Sequence, residues 1–191
     1  MLRWLWMFLV FSLVACGPGK QELELYGTDI SDRELEGAFT LTDHLGQVRH
    51  LEDFKGKVVV VFFGYTHCPD VCPTTMLSMA NAMKLMGDKA QEVQVLFISV
   101  DPERDTPEVL AQYVPFFDAR FIGLNGTPEQ LKQAARNYKV VYAKRPVEGG
   151  DTYTVDHSAG IYVVDRKGRV RAYLRHDATP EQLVHDITQF F

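Results

Sequence analysis

The sequence predicts a mixed α/β fold in which one sheet is covered by helices on both faces. Two continuous runs of apolar, β-branched and aromatic residues, 57–65 and 93–100, are typical of strands that are buried on both faces. A helical pattern at residues 73–86 lies between them, which makes a strand–helix–strand unit. Strands and helices then alternate until a late hairpin, so the sheet is expected to contain both parallel and antiparallel pairs.

The first element of the domain is predicted to be a β-hairpin. Phe39 and Leu41 precede a polar turn at residues 43–46, and Val48 and Leu51 follow it. Alternating apolar positions on both sides of a polar turn are typical of two paired strands. The two buried strands and the helix between them come next along the chain.

Three later helices are predicted from a shared start, Thr-Pro-Glu, at residues 106–108, 127–129 and 179–181. In each, the threonine can cap the first turn, the proline fits the first helical position, and the helix dipole favours the acidic side chain. Gln130 and Gln182 complete a capping box in the second and third helices.

Short strands are expected between these helices, at residues 121–124 and 140–144. A second hairpin is expected from residues 160–164 and 170–176, and it leads into the last helix. The pattern contains no internal repeat and no second domain. Residues 36–191 are therefore predicted to form one domain.

Composition and charge exclude several classes of protein. The chain has 191 residues, of which 46% are hydrophobic and 24% are charged, close to the average for globular domains. This length suits one domain whose core is large enough to fold without disulfide bonds. The formal net charge of −5 gives no indication of a nucleic-acid surface, so no nucleic-acid partner is expected. The three cysteines, at positions 16, 68 and 72, are too few for a disulfide-rich scaffold.

Residues 1–15 are predicted to be an export signal. Arg3 is followed by an apolar run broken only by Ser12, and this run is too short to cross a bilayer as a helix. Leu-Val-Ala-Cys at residues 13–16 resembles the lipobox of bacterial lipoproteins, so Cys16 is expected to carry lipid at the start of the mature chain. Plain secretion and an uncleaved anchor are the alternatives.

The polar stretch at residues 16–35 is predicted to be a tether between the lipid and the domain. The domain is then expected on the periplasmic side of a bacterial membrane, held there by the lipid on Cys16. In that oxidising compartment a pair of thiols is catalytic, bound to a metal or joined in a disulfide.

Cys68 and Cys72 lie where the first buried strand ends and the next helix begins. Open α/β sheets place their binding sites at this position. Pro73 suits the first helical position, which would place Cys72 at the helix N-terminus and Cys68 in the preceding loop. The helix dipole there favours the thiolate, which is the form of cysteine that attacks disulfides and binds metals.

Three separated motifs resemble those of the Sco (SenC) family of copper-binding proteins. They are residues 64–73 around the two cysteines, Asp-Pro-Glu-Arg-Asp-Thr-Pro at residues 101–107, and Asp-His-Ser at residues 156–158. The resemblance extends over residues 36–190, which is nearly the whole predicted domain.

This resemblance implies a thioredoxin-like fold that binds one copper ion, Cu(I) or Cu(II), through Cys68, Cys72 and His157. It also implies a role in assembling the dinuclear copper centre of cytochrome c oxidase, by copper delivery or by thiol reduction. The donor chemistry agrees with the resemblance, because two thiolates and one imidazole suit a soft Cu(I) ion and can also retain Cu(II). His157 is expected in the loop before the strand at residue 160, so only folding could bring it to the cysteines.

Several polar residues are candidates for supporting this site without binding the metal. Asp156 could orient the neighbouring His157 or dock a partner. Asp101, Arg104 and Asp105, at the end of the second buried strand, could form an ion pair that shapes the site. Four methionines are spaced as one stripe along the first helix, which predicts core packing in spite of the affinity of thioether for Cu(I): Met76, Met79, Met83 and Met86.

The first hypothesis for function is a copper metallochaperone rather than an enzyme. Its expected partners are the copper-receiving subunit of cytochrome c oxidase, an upstream copper donor or thiol reductant, and the membrane. A dedicated thiol–disulfide reductase and a copper or redox sensor would use the same residues and stay open as alternatives. A thiol peroxidase is disfavoured, because the tryptophan partner expected there is missing: the only tryptophans, Trp4 and Trp6, belong to the predicted signal.

Overall fold

An eight-stranded mixed sheet forms the centre of the structure, a computed structural model that describes residues 23–147, 149 and 152–191. In chain order the strands are β1 Thr28–Asp29, β2 Thr40–Asp43, β3 Val48–His50, β4 Val58–Gly64, β5 Val93–Ser99, β6 Ile122–Asn125, β7 Tyr142–Pro146, β8 Tyr153–His157, β9 Gly160–Val164 and β10 Val170–Arg175. The helices are α1 Val71–Met86, α2 Pro107–Phe117, α3 Pro128–Asn137 and α4 Pro180–Thr188. The main sheet has the order β1-β10-β9-β4-β5-β6-β2-β3, and β7 pairs with β8 in a separate two-stranded sheet.

The two central strands, β4 and β5, are parallel and buried along their whole length. Their register runs from Val58 opposite Val93 to Gly64 opposite Ser99. Consecutive apolar residues occupy both faces because helices cover both sides of the sheet. The mixed α/β prediction and both predicted central strands are confirmed.

The helices begin largely where the sequence predicts. Thr106, Thr127 and Thr179 cap α2, α3 and α4, and capping boxes are present in α3 and α4. The first helix differs, because α1 begins at Val71 and Pro73 is its third residue, not its first. The four methionines of α1 are buried in the core, as their spacing predicts.

Strand β8 was not predicted. Residues 153–157 pair with β7 in antiparallel register, with Tyr142 opposite His157, so His157 ends a strand rather than lying in a loop. Tyr153, Val155 and His157 alternate with two polar residues, and this short pattern becomes a strand because β7 is available to pair with it.

The amino-terminal boundary also differs from the predicted one at residue 36. The backbone N–H groups of Tyr26 and Gly27 donate to the buried Asp186 carboxylate at 2.9 and 2.8 Å, and β1 pairs with β10. The folded part of the chain therefore already includes residue 26. The predicted signal peptide and Cys16 lie outside the described residues, and no helix within the described ranges is long and apolar enough to span a bilayer.

Candidate metal centre

The two cysteines lie at the carboxyl end of β4, on the loop that leads into α1 and in the first turn of that helix. Cys68 is half-buried in the loop and Cys72 is buried in the helix. Gly64, the last residue of β4, makes room for them: a β-carbon there would lie 3.1 Å from the Cys72 Sγ and 2.8 Å from the Phe97 ring. The absence of a side chain at Gly64 lets the helix start close to the strand.

The structure brings His157 to the cysteines, although it follows Cys72 by 85 residues in sequence. Its Nε2 lies 3.5 Å from the Cys72 Sγ, and the backbone N–H of Cys72 is 3.4 Å from the Cys68 Sγ. The imidazole packs edge-on against the rings of Phe62 and Tyr65. Two sulfur atoms and one ring nitrogen therefore meet at one end of the sheet.

The contact of the other ring nitrogen, Nδ1, indicates which tautomer His157 adopts. Its Nδ1 faces the carbonyl oxygen of Ser158 at 3.4 Å, and a carbonyl oxygen can only accept a hydrogen bond. Burial lowers the pKa of His157, which favours the neutral ring. A neutral ring with its proton on Nδ1 leaves the Nε2 lone pair directed at Cys72, which is the arrangement that a metal ligand requires.

The thiols share one negative charge. A hydrogen bond from the Cys72 side chain lowers the pKa of the Cys68 thiol to about 5, and the amides of Asp70 and Cys72 contribute in the same direction against the effect of burial. The pKa of Cys72 is raised by that same contact with Cys68 and by burial. The result at neutral pH is a Cys68 thiolate that accepts a hydrogen bond from a Cys72 thiol.

A buried carboxylate, Asp105, fixes the backbone before Cys68. It accepts hydrogen bonds from the Thr66 backbone N–H at 3.0 Å, the Thr66 hydroxyl at 2.6 Å and the Ser99 hydroxyl at 2.6 Å. Burial raises the pKa of Asp105, although these hydrogen bonds act in the opposite direction. The contacts join the cysteine loop to the end of β5.

Of the three residues predicted to provide an ion pair here, Arg104 pairs with Asp101 and not with Asp105 in the described contacts. The Tyr153 hydroxyl donates to Asp101 at 2.7 Å, and the Arg104 guanidinium lies 3.7 Å from the centre of the Tyr153 ring. Arg104 also donates to the Tyr153 carbonyl oxygen at 2.9 Å. Because Tyr153 begins β8 and His157 ends it, the ion pair positions the strand that carries the histidine.

Asp156 is placed differently from the other candidates. Its carboxylate pairs with Arg145 of β7 at 2.8 Å, and both side chains are exposed. Successive residues of a strand point to opposite faces, so Asp156 is directed away from the side of β8 on which His157 meets Cys72. Its side chain therefore contacts the exposed face of the β7–β8 hairpin and not His157.

Sequence reasoning missed Tyr65 and Tyr153 as parts of this region. Tyr65 packs against His157, and the Arg104 guanidinium lies 5.8 Å from the centre of its ring. The signal that could have identified Tyr153 is its place in the alternating pattern of residues 153–157. His67 stays a half-exposed neighbour, with its Nδ1 3.0 Å from the Thr66 hydroxyl.

The donor set fits a soft metal ion, although the donors are not yet gathered around one point. Among the described residues, no three histidine, cysteine or acidic side chains are arranged to hold a metal as they lie. The 3.5 Å between Cys72 Sγ and His157 Nε2 matches the roughly 3.5–3.7 Å expected when sulfur and nitrogen share an ion at bond lengths of about 2.3 and 2.0 Å. For both sulfur atoms to act as thiolate ligands, Cys72 would have to lose its proton.

Comparison with known proteins identifies relatives that cover most of the described domain. A family model described as SCO1/SenC matches residues 27–191. The mitochondrial SCO2 homolog of Bos taurus is 39% identical over 154 residues, which are 80% of this chain and 58% of that protein. The chain therefore aligns with a little over half the length of this relative.

Solved structures of Sco proteins also resemble this chain. The copper-bound ScoI of Bradyrhizobium japonicum is 41% identical with a TM-score of 0.75, and the match covers 82% of this chain and 99% of that one. BsSco, described as having a disulfide switch and as a member of the Sco family of cytochrome c oxidase assembly proteins, is 25% identical with a TM-score of 0.65, over 88% and 96% of the two chains. The thioredoxin-like fold expected from the sequence is confirmed.

Proposed function

The chain belongs to the SCO1/SenC family, and on that premise we propose that it is a copper metallochaperone. Copper is its cargo, bound one ion per chain by Cys68, Cys72 and His157. The observation that carries the proposal is the 3.5 Å contact between Cys72 Sγ and His157 Nε2 beside the Cys68 sulfur. A copper-bound relative that matches most of this domain supports the choice of metal.

The chemistry of loading follows from the protonation states of the three side chains. Cys68 is already a thiolate and His157 is neutral, so Cys72 is the group that must release a proton when the ion enters. Two thiolates and an imidazole suit Cu(I), and the same donors can retain Cu(II). Cargo leaves by ligand exchange, in which donors of a partner replace these side chains one at a time.

The receiving partner in this proposal is the copper-binding subunit of cytochrome c oxidase. The family includes cytochrome c oxidase assembly proteins, which supports an oxidase partner. The protein works on the periplasmic face of a bacterial membrane, held by a lipid on Cys16. An upstream copper donor or thiol reductant supplies the reduced, loaded form.

Anaerobic copper titration of the reduced protein tests the ligand set. We expect about one copper per chain, with affinity lowered by more than about 10-fold in His157→Ala, since even side chains that only orient a metal ligand contribute that much. His67→Ala is the matched control, because His67 adjoins Cys68 but is half-exposed and bonded to Thr66. Copper retention that is unchanged in His157→Ala would overturn the proposed site.

A thiol–disulfide reductase is the second candidate, favoured by the lowered pKa of the half-exposed Cys68 thiol. The Cys68 thiolate would attack a partner disulfide, forming a mixed disulfide and releasing one partner thiolate. Cys72, after losing its proton, would then attack Cys68 and release the second partner thiol. The partner gains two electrons, and Cys68 and Cys72 end as a disulfide.

Two anaerobic reactions separate the candidates when copper and thiols are both measured: the copper-loaded protein with the reduced apo copper domain of the oxidase, and the reduced, copper-free protein with the same domain in its disulfide form. A chaperone transfers copper and keeps both thiols reduced. A reductase leaves a Cys68–Cys72 disulfide, and its Cys72→Ser variant accumulates a mixed disulfide with the partner. A copper or redox sensor retains its copper and does neither.

A further inference from the structure

Six cations gather at the amino end of β4, opposite the end that holds the cysteines. We call this group the basic end, and it consists of Lys55, Lys57, Arg166, Lys167, Arg169 and Arg171. A hydrogen bond of 3.0 Å from the Gly56 N–H to the Arg166 carbonyl oxygen joins the loop before β4 to the turn between β9 and β10. Two separate segments of the chain thus bring their cations together.

The charges of the basic end are only partly neutralised. Asp165 accepts from Arg169 and Arg171, and Glu92 pairs with Arg166. Within the described ranges the lysines at positions 55, 57 and 167 make no ion pair, and all three are exposed. This concentration of unpaired positive charge lies on a chain whose formal net charge is −5.

Apolar side chains accompany the cations. A groove of about 410 Å³ beside the turn is lined by Arg166, Lys167 and Arg171 together with Leu23 and Phe191. The Arg166 guanidinium lies 5.5 Å from the centre of the Phe191 ring, and 37% of the Phe191 surface is exposed. Cations around an exposed aromatic ring are the combination that suits the boundary between lipid headgroups and acyl chains.

We propose that the basic end binds anionic phospholipid headgroups and so lays this end of the domain on a membrane surface. Lipid phosphates would meet the lysines and arginines, and Phe191 would enter the headgroup region. Juxtamembrane cations each contribute to attraction by an anionic leaflet, and the attraction is screened by salt. This membrane contact is separate from copper binding and uses none of the copper ligands.

The course of the chain favours a membrane over a soluble acidic partner. Leu23 lines the groove, and the predicted lipid-bearing Cys16 is seven residues upstream, within about 25 Å of extended chain. The basic end therefore lies beside Leu23, the first described residue after the predicted lipid-bearing cysteine.

The orientation that results leaves the cysteines accessible. Strand β4 has seven residues and separates the basic end from Gly64 by about 20 Å. A domain that rests on its basic end holds Cys68, Cys72 and His157 away from the bilayer, where a soluble copper domain can reach them.

Vesicle binding by residues 23–191 tests the proposal without the predicted anchor. The match between this domain and 99% of a solved relative indicates that such a domain folds without the preceding residues. Vesicles of equal parts phosphatidylcholine and phosphatidylglycerol should bind the domain, and vesicles of phosphatidylcholine alone should not. Combined Lys55→Ala, Lys57→Ala and Lys167→Ala changes should weaken binding by about 100-fold, at about 5-fold per lysine.

The matched control removes three exposed cations that lie outside the basic end. Lys132→Ala, Arg136→Ala and Arg175→Ala should together leave vesicle affinity within about 2-fold of the unchanged domain, because screening limits the effect of distant charges. Equal losses in the two triple variants would mean that net charge alone drives binding, and would overturn the proposal. Competition by glycerophosphoglycerol as strong as that by vesicles would show a headgroup-sized anion site instead of a membrane surface, and would overturn it as well.

A tryptophan probe tests the orientation independently. The domain contains no tryptophan, so Phe191→Trp and Val141→Trp each place a single reporter. The first lies at the basic end, and the second lies beside Ser158, the neighbour of His157, because the Val141 carbonyl oxygen accepts from the Ser158 N–H at 2.9 Å. Anionic vesicles should shift the emission of Phe191→Trp to shorter wavelength and leave Val141→Trp unchanged. A shift in Val141→Trp alone would contradict the proposed orientation.

Discussion

The two ends of the central strands differ in how their charged and polar groups are held. At the carboxyl end of β4 and β5, Asp101 and Asp105 are buried and each is fixed by several hydrogen bonds. At the amino end the exposed lysines of the basic end make no ion pair with any residue that the structure describes. The arrangement at the carboxyl end therefore depends on the exact positions of a few buried groups, whereas the charge at the amino end depends on how many cations it carries.

The largest effect is expected from removing the carboxylate that anchors the cysteine loop. Asp105→Ala leaves the Thr66 hydroxyl and N–H and the Ser99 hydroxyl without their acceptor, so the free energy of unfolding should fall by about 3 kcal/mol. Urea denaturation of the reduced protein measures this loss. Asp105→Asn keeps an acceptor oxygen and should lose less; an equal loss would contradict the role given to the hydrogen bonds.

The second-largest loss of stability is expected from filling the space beside Cys72. Gly64→Ala places a β-carbon 2.8 Å from the Phe97 ring and 3.1 Å from the Cys72 Sγ, and this overpacking should lower the free energy of unfolding by about 2 kcal/mol. The displaced helix start should also weaken copper binding. Gly56→Ala is a comparison at the opposite end, where an added β-carbon meets no atom within 4 Å and only the positive φ of 91° opposes it. Unchanged copper affinity in Gly64→Ala would show that the close approach is dispensable.

A smaller effect, of opposite sign at the two ends, is expected from pH. Burial raises the folded-state pKa of Asp105, so the folded state binds this proton more tightly and stability falls as pH rises from about 4. At Asp165 the effect of burial is outweighed by hydrogen bonds from Arg169, Arg171 and Lys167, which lower the pKa. Its contribution is present above the unfolded pKa of about 3.9 and is lost as pH falls through the folded value.

Urea denaturation from pH 2.5 to pH 7 of Asp105→Asn and Asp165→Asn checks these signs. Relative to the unchanged protein, Asp105→Asn should remove the decline in stability on raising the pH, and Asp165→Asn should remove part of the loss on acidification. Two variants that shift the pH profile in the same direction would disagree with the opposite pKa directions.

The smallest effect on stability is expected where charges are exposed. The combined lysine changes at positions 55, 57 and 167 should alter the free energy of unfolding by less than about 0.5 kcal/mol per site, because exposed charges contribute little to folding. Chemical denaturation next to the vesicle assay gives both values. A stability loss comparable to that of Asp105→Ala would remove the distinction between the two ends.

The contrast also explains what the sequence could and could not predict. Strands β4 and β5 and the capped starts of three helices follow from patterns within a few residues, and these predictions are confirmed. Strand β8 forms by pairing with β7, which no local pattern specifies. The face of β8 on which Asp156 lies depends on the same pairing. The early start of the folded chain similarly depends on Asp186, about 160 residues away from Tyr26 and Gly27. The copper ligands came from the family resemblance, and they stay a prediction.

The separate pairing of β7 with β8 has a mechanical consequence for the candidate site. In the described sheets these strands hydrogen-bond to each other and not to the eight-stranded sheet, so His157 and the cysteines are attached to different sheets. The polar contacts between the two sheets are those of Arg104 and Asp101 with Tyr153 and the Glu103–Lys144 ion pair. Buried Val155 and the packing of His157 on two aromatic rings add apolar contacts. Moving His157 away from the cysteines would therefore cost these side-chain contacts but none of the backbone hydrogen bonds within either sheet.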